Sequence, residues 1–285
     1  MSEINSKNEW DNIISSDYNK IELRIKTIWH YRDLILLFVK RDFIIYYKQT
    51  ILGPIWYIIQ PVLSTLMYMI VFGSLANIST DSIPQPLFYF AGTMLWTYFS
   101  NTLLDVSNVF AANKNMLGKV YFPRLVIPIA NMISLLIKFL IQSGIFVCIY
   151  LFYLFKGAYV GASLWILISP LIVFWIGLLG CGIGMVISSV TSRYKDLALA
   201  LNYLVTLFMY ATPVVYPFSQ VPEKWKFVFA LNPVCAPMEL FRKCLFHVSA
   251  LPLWSIGFSL VVTFIMFLFG LIVFNKIEKT FIDVI

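Results

Sequence analysis

Residues 125–155 read LVIPIANMISLLIKFLIQSGIFVCIYLFYLF, with one charge, Lys138, in the whole run. A soluble helix of this length would show a polar face, and a strand would end within about eight residues. A helix needs about 20 apolar residues to cross the roughly 30 Å hydrocarbon core of a bilayer. Lipid offers no partner to an exposed peptide group, so an unpaired run of this kind has to be helical. Five more apolar runs lie at about 55–76, 87–111, 163–190, 197–211 and 253–274, the fifth of the six in chain order being short.

The composition agrees. Of 285 residues, 60% are hydrophobic and 12% charged, against about 45–50% and 25% in soluble domains. Too little polar surface remains to cover a soluble enzyme, a disordered scaffold or a small disulfide-stapled domain. The expected class is an all-α integral membrane protein of six spans.

Residues 1–30 are polar and lack the apolar core of a signal peptide, so they read as a cytoplasmic tail. From 31 to 52 the charges Arg32/Asp33, Lys40/Arg41/Asp42 and Lys48 recur every seven or eight residues. That spacing is two helical turns and puts them on one face, with Leu34, Leu37, Phe38, Ile44 and Ile45 elsewhere. Such a run is too charged to span and fits a helix lying in the interface plane. Pro61, inside the first span, is expected to kink it unless a neighbour satisfies the carbonyl its ring leaves free.

The basic residues set the orientation. Eight Lys/Arg lie in the first 50 residues, three in 112–124, two in 191–196 and two in the 275–285 tail; the other side holds only Lys156 and four in 213–252. The positive-inside rule places both termini in the cytoplasm, which an even number of crossings permits. The net charge of +7 is thereby explained without nucleic acid.

Patterns for soluble chemistry are missing. There is no GxxxxGK[ST] phosphate loop, no HExxH and no CxxC, and the two histidines, His30 and His247, fall on opposite sides. No metal or cofactor is expected on this chain. Cys148 and Cys181 read as buried packing residues; Cys235 and Cys244 share a non-membrane stretch and could pair. Gly180 and Gly184 form a GxxxG, whose physical use is close helix approach.

Two ionisable residues fall within spans. Lys138 lies near the midplane of the third and Asp105 toward the cytoplasmic end of the second. They either pair to join adjacent helices, or Lys138 faces a transport path. The aromatics divide in the same way: most suit interfacial belts, and Tyr57, Trp96, Tyr98 and Phe99 could instead line a path by stacking on sugar rings.

Five ordered motifs carry a resemblance. RDFIIYYKQTILGPIWYIIQP (41–61), NKNMLGKVYFPRLVIP (113–128), SRYKDL (192–197), ATPVVYP (211–217) with LNPVCAPMELFR (231–242), and the terminal FIDVI stand in sequence. Together they resemble the permease subunit of polysaccharide ABC exporters of the ABC-2 type, over about residues 28–285. Those include exporters of O-antigen, capsule and teichoic acid.

The resemblance implies a half-transporter. Two copies of the chain would form the channel, with two copies of a separate ATPase carrying ATP and Mg. ATPase contacts would include Arg41 and Asp42 of the interface helix. Lys114, Asn115, Lys119 and Arg124 would belong to a coupling helix, with Arg193 and Asp196 in a second loop. Residues 214–250 would form short re-entrant helices capping the exit. Arg41, Lys48 and Arg124 would meet the pyrophosphate of a lipid-linked polysaccharide, or simply anionic membrane lipid. Other readings are an ABC-2 permease for a drug or small lipid, an intramembrane transferase, or an ion-coupled transporter. The transferase would need acids clustered at one face. The ion-coupled transporter would need an inverted repeat, and neither pattern is evident.

Overall fold

The computed structural model describes residues 25–48, 53–117, 119, 122–157, 164–191, 194–248 and 251–281. All regular structure within them is helical. The expected tail at 1–30 lies mostly outside the described residues; its end is a short helix, α1, Ile25–His30.

Helix α2, Arg32–Lys48, follows after a one-residue turn. It buries Ile35, Phe38 and Val39 and packs on α7, described below. Leu36, Leu37, Phe43, Ile44 and Ile45 are exposed. The helix thus carries a packed stripe and an unpacked apolar stripe.

Helix α3, Trp56–Tyr68, runs on into a π-helical turn, Met69–Leu75. Pro61 sits inside it and cannot donate to the carbonyl of Tyr57. Gln142 of α7 donates its amide Nε2–H to that oxygen at 3.5 Å, so a neighbour supplies the bond and the helix continues.

Helix α4, Gln85–Ser107, opens with proline in its first turn, where the missing N–H costs nothing. It packs against α3, α7 and α8. Leu87, Phe88, Tyr89, Phe90 and Ala91 are at most 1% exposed at successive positions, so every face of its first half is covered. Asn108 and Asn113 then break the chain into two single turns, α5 (Val109–Ala112) and α6 (Lys114–Leu117).

Helix α7, Val126–Phe155, is the longest at 30 residues, about 45 Å. A 3-10 segment, Leu164–Ile168, leads into α8, Ser169–Thr191. Then come α9 (Lys195–Tyr210), α10 (Glu223–Ala230), α11 (Cys235–Phe246) and α12 (Leu253–Phe281).

Among the described residues, four helices are long and apolar enough to cross a membrane: Trp56–Leu75, Val126–Phe155, Trp165–Thr191 and Leu253–Lys276. They match four expected spans. The other two expected spans are α4 and α9. Helix α4 carries Thr93, Thr97, Ser100, Asn101 and Asp105, which lower its apolarity; it ends at Ser107, earlier than the expected 111. Helix α9 has 16 residues, about 24 Å. Helix α12 extends to Phe281, into the expected tail.

Glycines hold the centre together. A Cβ on Gly180 would lie 3.0 Å from the Phe99 carbonyl oxygen, and one on Gly184 would lie 2.8 Å from that of Leu103. Helices α4 and α8 touch backbone to backbone there, as the GxxxG predicts. On the opposite side of α8, a Cβ on Gly270 of α12 would lie 2.6 Å from the Gly182 carbonyl.

The four cysteines are free. Cys235 and Cys244 stand at the two ends of α11, so about 13 Å of helix rise keeps them apart. Cys181 is buried as expected, but Cys148 is exposed on α7. Its apolar surroundings in sequence belong to a helix face that no other described element covers.

Candidate functional site

A cavity of about 700 Å³ opens at the end of the bundle that carries α5 and α6. Four helices line it. Helix α2 contributes Arg41 and Asp42; α4 contributes Asn101 and Asp105, with Asn108 just past its end; α7 contributes Asn131, Ser134 and Lys138; α9 contributes Ala198 and Asn202. Within α4 and α7 these positions follow a step of three or four residues. Each set therefore forms one polar stripe along an otherwise apolar helix. Asn113, in the turn between α5 and α6, closes the rim.

A smaller pocket of about 110 Å³ adjoins it and shares Asn101, Leu135 and Lys138 with it. Its own walls are Trp56, Tyr57, Gln60, Thr97, Tyr98 and Gln142. The two adjoin at the shared residues, the wide one carboxamide-rich and the narrow one aromatic. Lys138 stands at the junction, its Nζ 5.3 Å from the centre of the Tyr57 ring, within cation–π range.

Most charge on the wide wall is matched. Arg41 donates Nε–H and an Nη2–H to Asp42 Oδ1 at 3.0 and 2.8 Å. Ser134 donates its hydroxyl to Asp42 Oδ2 at 3.2 Å, tying α2 to α7. The Arg41 guanidinium also lies over the Phe38 ring at 4.8 Å. Asp105 and Lys138, the two intramembrane charges of the sequence, line the same cavity.

The four aromatics expected along a path separate. Tyr57 and Tyr98 line the smaller pocket. Trp96 and Phe99 lie in the main core, their rings 5.5 Å apart, and Trp96 also packs on Phe208 at 6.0 Å.

The expected docking residues separate as well. Lys114 and Lys119 are exposed on the α5–α6 connection, and Asn115 lies within α6. Lys48 is exposed at the end of α2, and Asp196 is exposed in the first turn of α9. Arg124 is buried, at 5% exposure. Arg193 lies outside the described residues.

The opposite end of the bundle holds a buried ion pair that the sequence reading passed over. Glu239 and Arg242 of α11 are 3% and 2% exposed, with Arg242 Nη1 2.8 Å from Glu239 Oε1. Arg242 also donates to the carbonyls of Pro213 and Val214, both at 2.6 Å, and its guanidinium lies 4.0 Å over the Phe88 ring of α4. Burial pushes the Glu239 carboxyl above its ordinary value, and the guanidinium beside it opposes the shift. A Cβ on Gly92 would lie 2.5 Å from the Val214 carbonyl oxygen, so only glycine lets that turn seat on α4. Further polar contacts complete this end. Ser255 and Ser259 of α12 donate to the carbonyls of Ala230 and Pro233 at 2.6 and 2.5 Å. Ser219 donates to Asp81 at 2.8 Å. The signal in the sequence was an opposite-charge pair three residues apart in a stretch flanked by prolines.

Among the described residues no three His, Cys, Asp or Glu side chains gather as a metal site would need. The arrangement offers polar walls set into an apolar bundle.

A family model described as ABC-2 type transporter matches residues 33–246. The O-antigen export system permease protein RfbA of Klebsiella pneumoniae is 25% identical over 253 residues, covering 89% of this chain and 95% of that relative. Its namesake in Myxococcus xanthus is 25% identical over 232 residues, covering 80% and 85%. The polysialic acid transport protein KpsM of Escherichia coli is 22% identical over 231 residues, covering 80% and 87%.

Proposed function

The chain belongs to the ABC-2 type transporter family, and from that premise we propose that it is the permease subunit of an ABC transporter exporting a cell-surface polysaccharide, O-antigen in the first place. The observation that carries this reading is the polar path. An apolar bundle has no structural need for Asn101, Asp105, Asn131 and Lys138 on facing stripes, and intramembrane polar residues of this kind mark a solute route. The relatives named for O-antigen export set the class of solute.

The remaining parts follow from the premise. A separate ATPase subunit, present in two copies, carries ATP and Mg, because this sequence holds no phosphate loop. Two copies of this chain enclose the route. The four long apolar helices, with α4 and α9, make six crossings of the bacterial cytoplasmic membrane with both termini inside, which places the α5–α6 end in the cytoplasm. The exposed Lys114 and Lys119 there meet the ATPase. A lipid-linked glycan arrives from the same side, with its pyrophosphate near the exposed Lys48 at the bilayer surface. Helices α10 and α11 cap the far end without crossing, held by the Glu239–Arg242 pair. No nucleic acid takes part.

The test is genetic and biochemical together. A host lacking this chain should lose its surface polysaccharide and regain it with the wild-type chain, and an untagged nucleotide-binding subunit should co-purify with the tagged protein. Normal surface polysaccharide in the deleted host, or purification without any ATPase, would sink the reading.

The polysialic acid relative favours a second reading, a capsular glycan. The same deletion separates the two by which surface glycan is lost.

A further inference from the structure

We propose that the wide cavity between α2, α4, α7 and α9 takes the uncharged, hydroxyl-rich sugar portion of the substrate and excludes its pyrophosphate. The proposal rests on the reading of the chain as a polysaccharide permease and says which chemical part of that substrate this wall touches.

The first ground is charge. A pyrophosphate site gathers several free cationic donors and keeps acids away. Here two basic side chains, Arg41 and Lys138, share the wall with two acidic ones, Asp42 and Asp105. Arg41 already spends Nε and Nη2 on Asp42 at 3.0 and 2.8 Å. A multiply charged anion in this cavity would face both carboxylates. An acidic glycan would meet the same obstacle.

The second ground is the carboxamides. Among the described residues, the side chains of Asn101, Asn108 and Asn131 make no hydrogen bond within the protein, and all three line the cavity. Asn113 and Asn202 donate to the carbonyls of Val109 and Ala198, at 3.0 and 2.8 Å, and so are already committed. Each free carboxamide offers two donors and an acceptor with no net charge. A sugar hydroxyl both donates and accepts, so it matches that inventory, whereas a phosphate oxygen only accepts. Three uncommitted carboxamides, on α4, just past its end and on α7, form a lattice for hydroxyls.

The third ground is continuity. The cavity shares Asn101, Leu135 and Lys138 with the pocket walled by Tyr57 and Tyr98. Aromatic faces there can receive the apolar faces of sugar rings whose hydroxyls the wider part has engaged.

The test uses the purified full chain in lipid nanodiscs, followed by its intrinsic tryptophan fluorescence, to which Trp56 at the narrow end contributes. The two probes are a phosphate-free neutral glycan released from the host surface, and inorganic pyrophosphate. The glycan should bind saturably, and a hundredfold excess of pyrophosphate should leave that binding unchanged. Asn101→Leu and Asn131→Leu should each weaken glycan binding about tenfold, as the loss of one hydrogen bond implies, while Asn101→Gln should retain most of it. Displacement of glycan by pyrophosphate, absence of glycan binding, or wild-type affinity in both leucine variants would overturn the proposal. The competition needs only the wild-type chain, so it decides even if a variant fails to assemble. Restoration of export by the wild-type chain tests the permease reading separately, so the failure of one is distinguishable from that of the other.

Discussion

Arg242 does three things at one point. It neutralises Glu239, it holds the carbonyls of Pro213 and Val214, and it covers the Phe88 ring. Replacing it by leucine leaves a carboxylate and two carbonyls buried without their partner. Removal of one member of a buried pair costs about 3–5 kcal/mol. Arg242→Leu should therefore lower the melting temperature of the detergent-purified chain sharply, and Arg242→Lys should recover little. An ammonium is a point donor that lacks the planar fork reaching both carbonyls at once. Glu239→Gln with Arg242→Leu should be less damaging than Arg242→Leu alone, because no unpaired charge remains. Lys138 invites the opposite expectation. It stands on a cavity wall, so Lys138→Met should leave the melting temperature near that of the wild type while lowering surface polysaccharide about tenfold, the scale of one charge-assisted hydrogen bond. Lys138 and Asp105 were legible in the sequence because charge is rare in an apolar run. The asparagines were not. A single Asn is tolerated in many membrane helices, and it becomes informative only once α4 and α7 are known to face each other across a cavity.

At the scale of elements, the contact of α4 with α8 is set by glycine rather than by apolar area. Lipid is as apolar as leucine, so helices in a bilayer gain from close packing and not from leaving water. Gly184→Leu should cost more than about 2 kcal/mol, since its Cβ would lie 2.8 Å from the Leu103 carbonyl oxygen and 2.9 Å from the Val106 Cβ, and such overpacking has no flexible side chain to yield. Gly144→Ala is the internal control. A Cβ there meets nothing within 4 Å, and alanine is the better helix former by about 0.5–1 kcal/mol. Thermal unfolding of both variants in one detergent checks the pair, and a larger loss from Gly144→Ala would contradict the packing argument. Helix existence was readable here for the four long apolar runs, whose composition alone commits them. Helix α4 was placed nearly correctly but resembles its fellows less, because its stripe of Thr97, Asn101 and Asp105 answers to the cavity and not to lipid. Its end at Ser107 was not readable. Asn108 breaks the helix where the carbonyls of Leu104 and Ser107 are taken by the Asn108 N–H and the Thr191 hydroxyl, and the second of those partners lies 84 residues away.

For the whole molecule, the cavity opens at the end that carries α5 and α6. Helices α4 and α7 both reach it and are joined there by α5 and α6, so a force on that connection acts on the two helices that supply most of the cavity wall. Lys114 and Lys119 are exposed on the connection, and exposed charges contribute little to folding, within about 0.5 kcal/mol. Charge at a docking surface instead governs which partner is accepted and how quickly it arrives. The double variant Lys114→Glu with Lys119→Glu should accordingly melt as the wild type does, yet lose most of its co-purifying ATPase and its export. If the lysines act through charge, wild-type association should weaken as ionic strength rises, because exposed charges are screened beyond about 10 Å at 0.1 M salt. The variant should bind weakly at low salt too, where screening is least. Retention of the ATPase by the charge-reversed chain would count against this end as the docking face. Loss of the ATPase together with a lowered melting temperature would mean that the substitutions had disturbed α5 and α6 themselves. The paired measurement of melting and partner retention therefore separates a contact from a fold effect, and export by the same cells shows whether the contact drives the path.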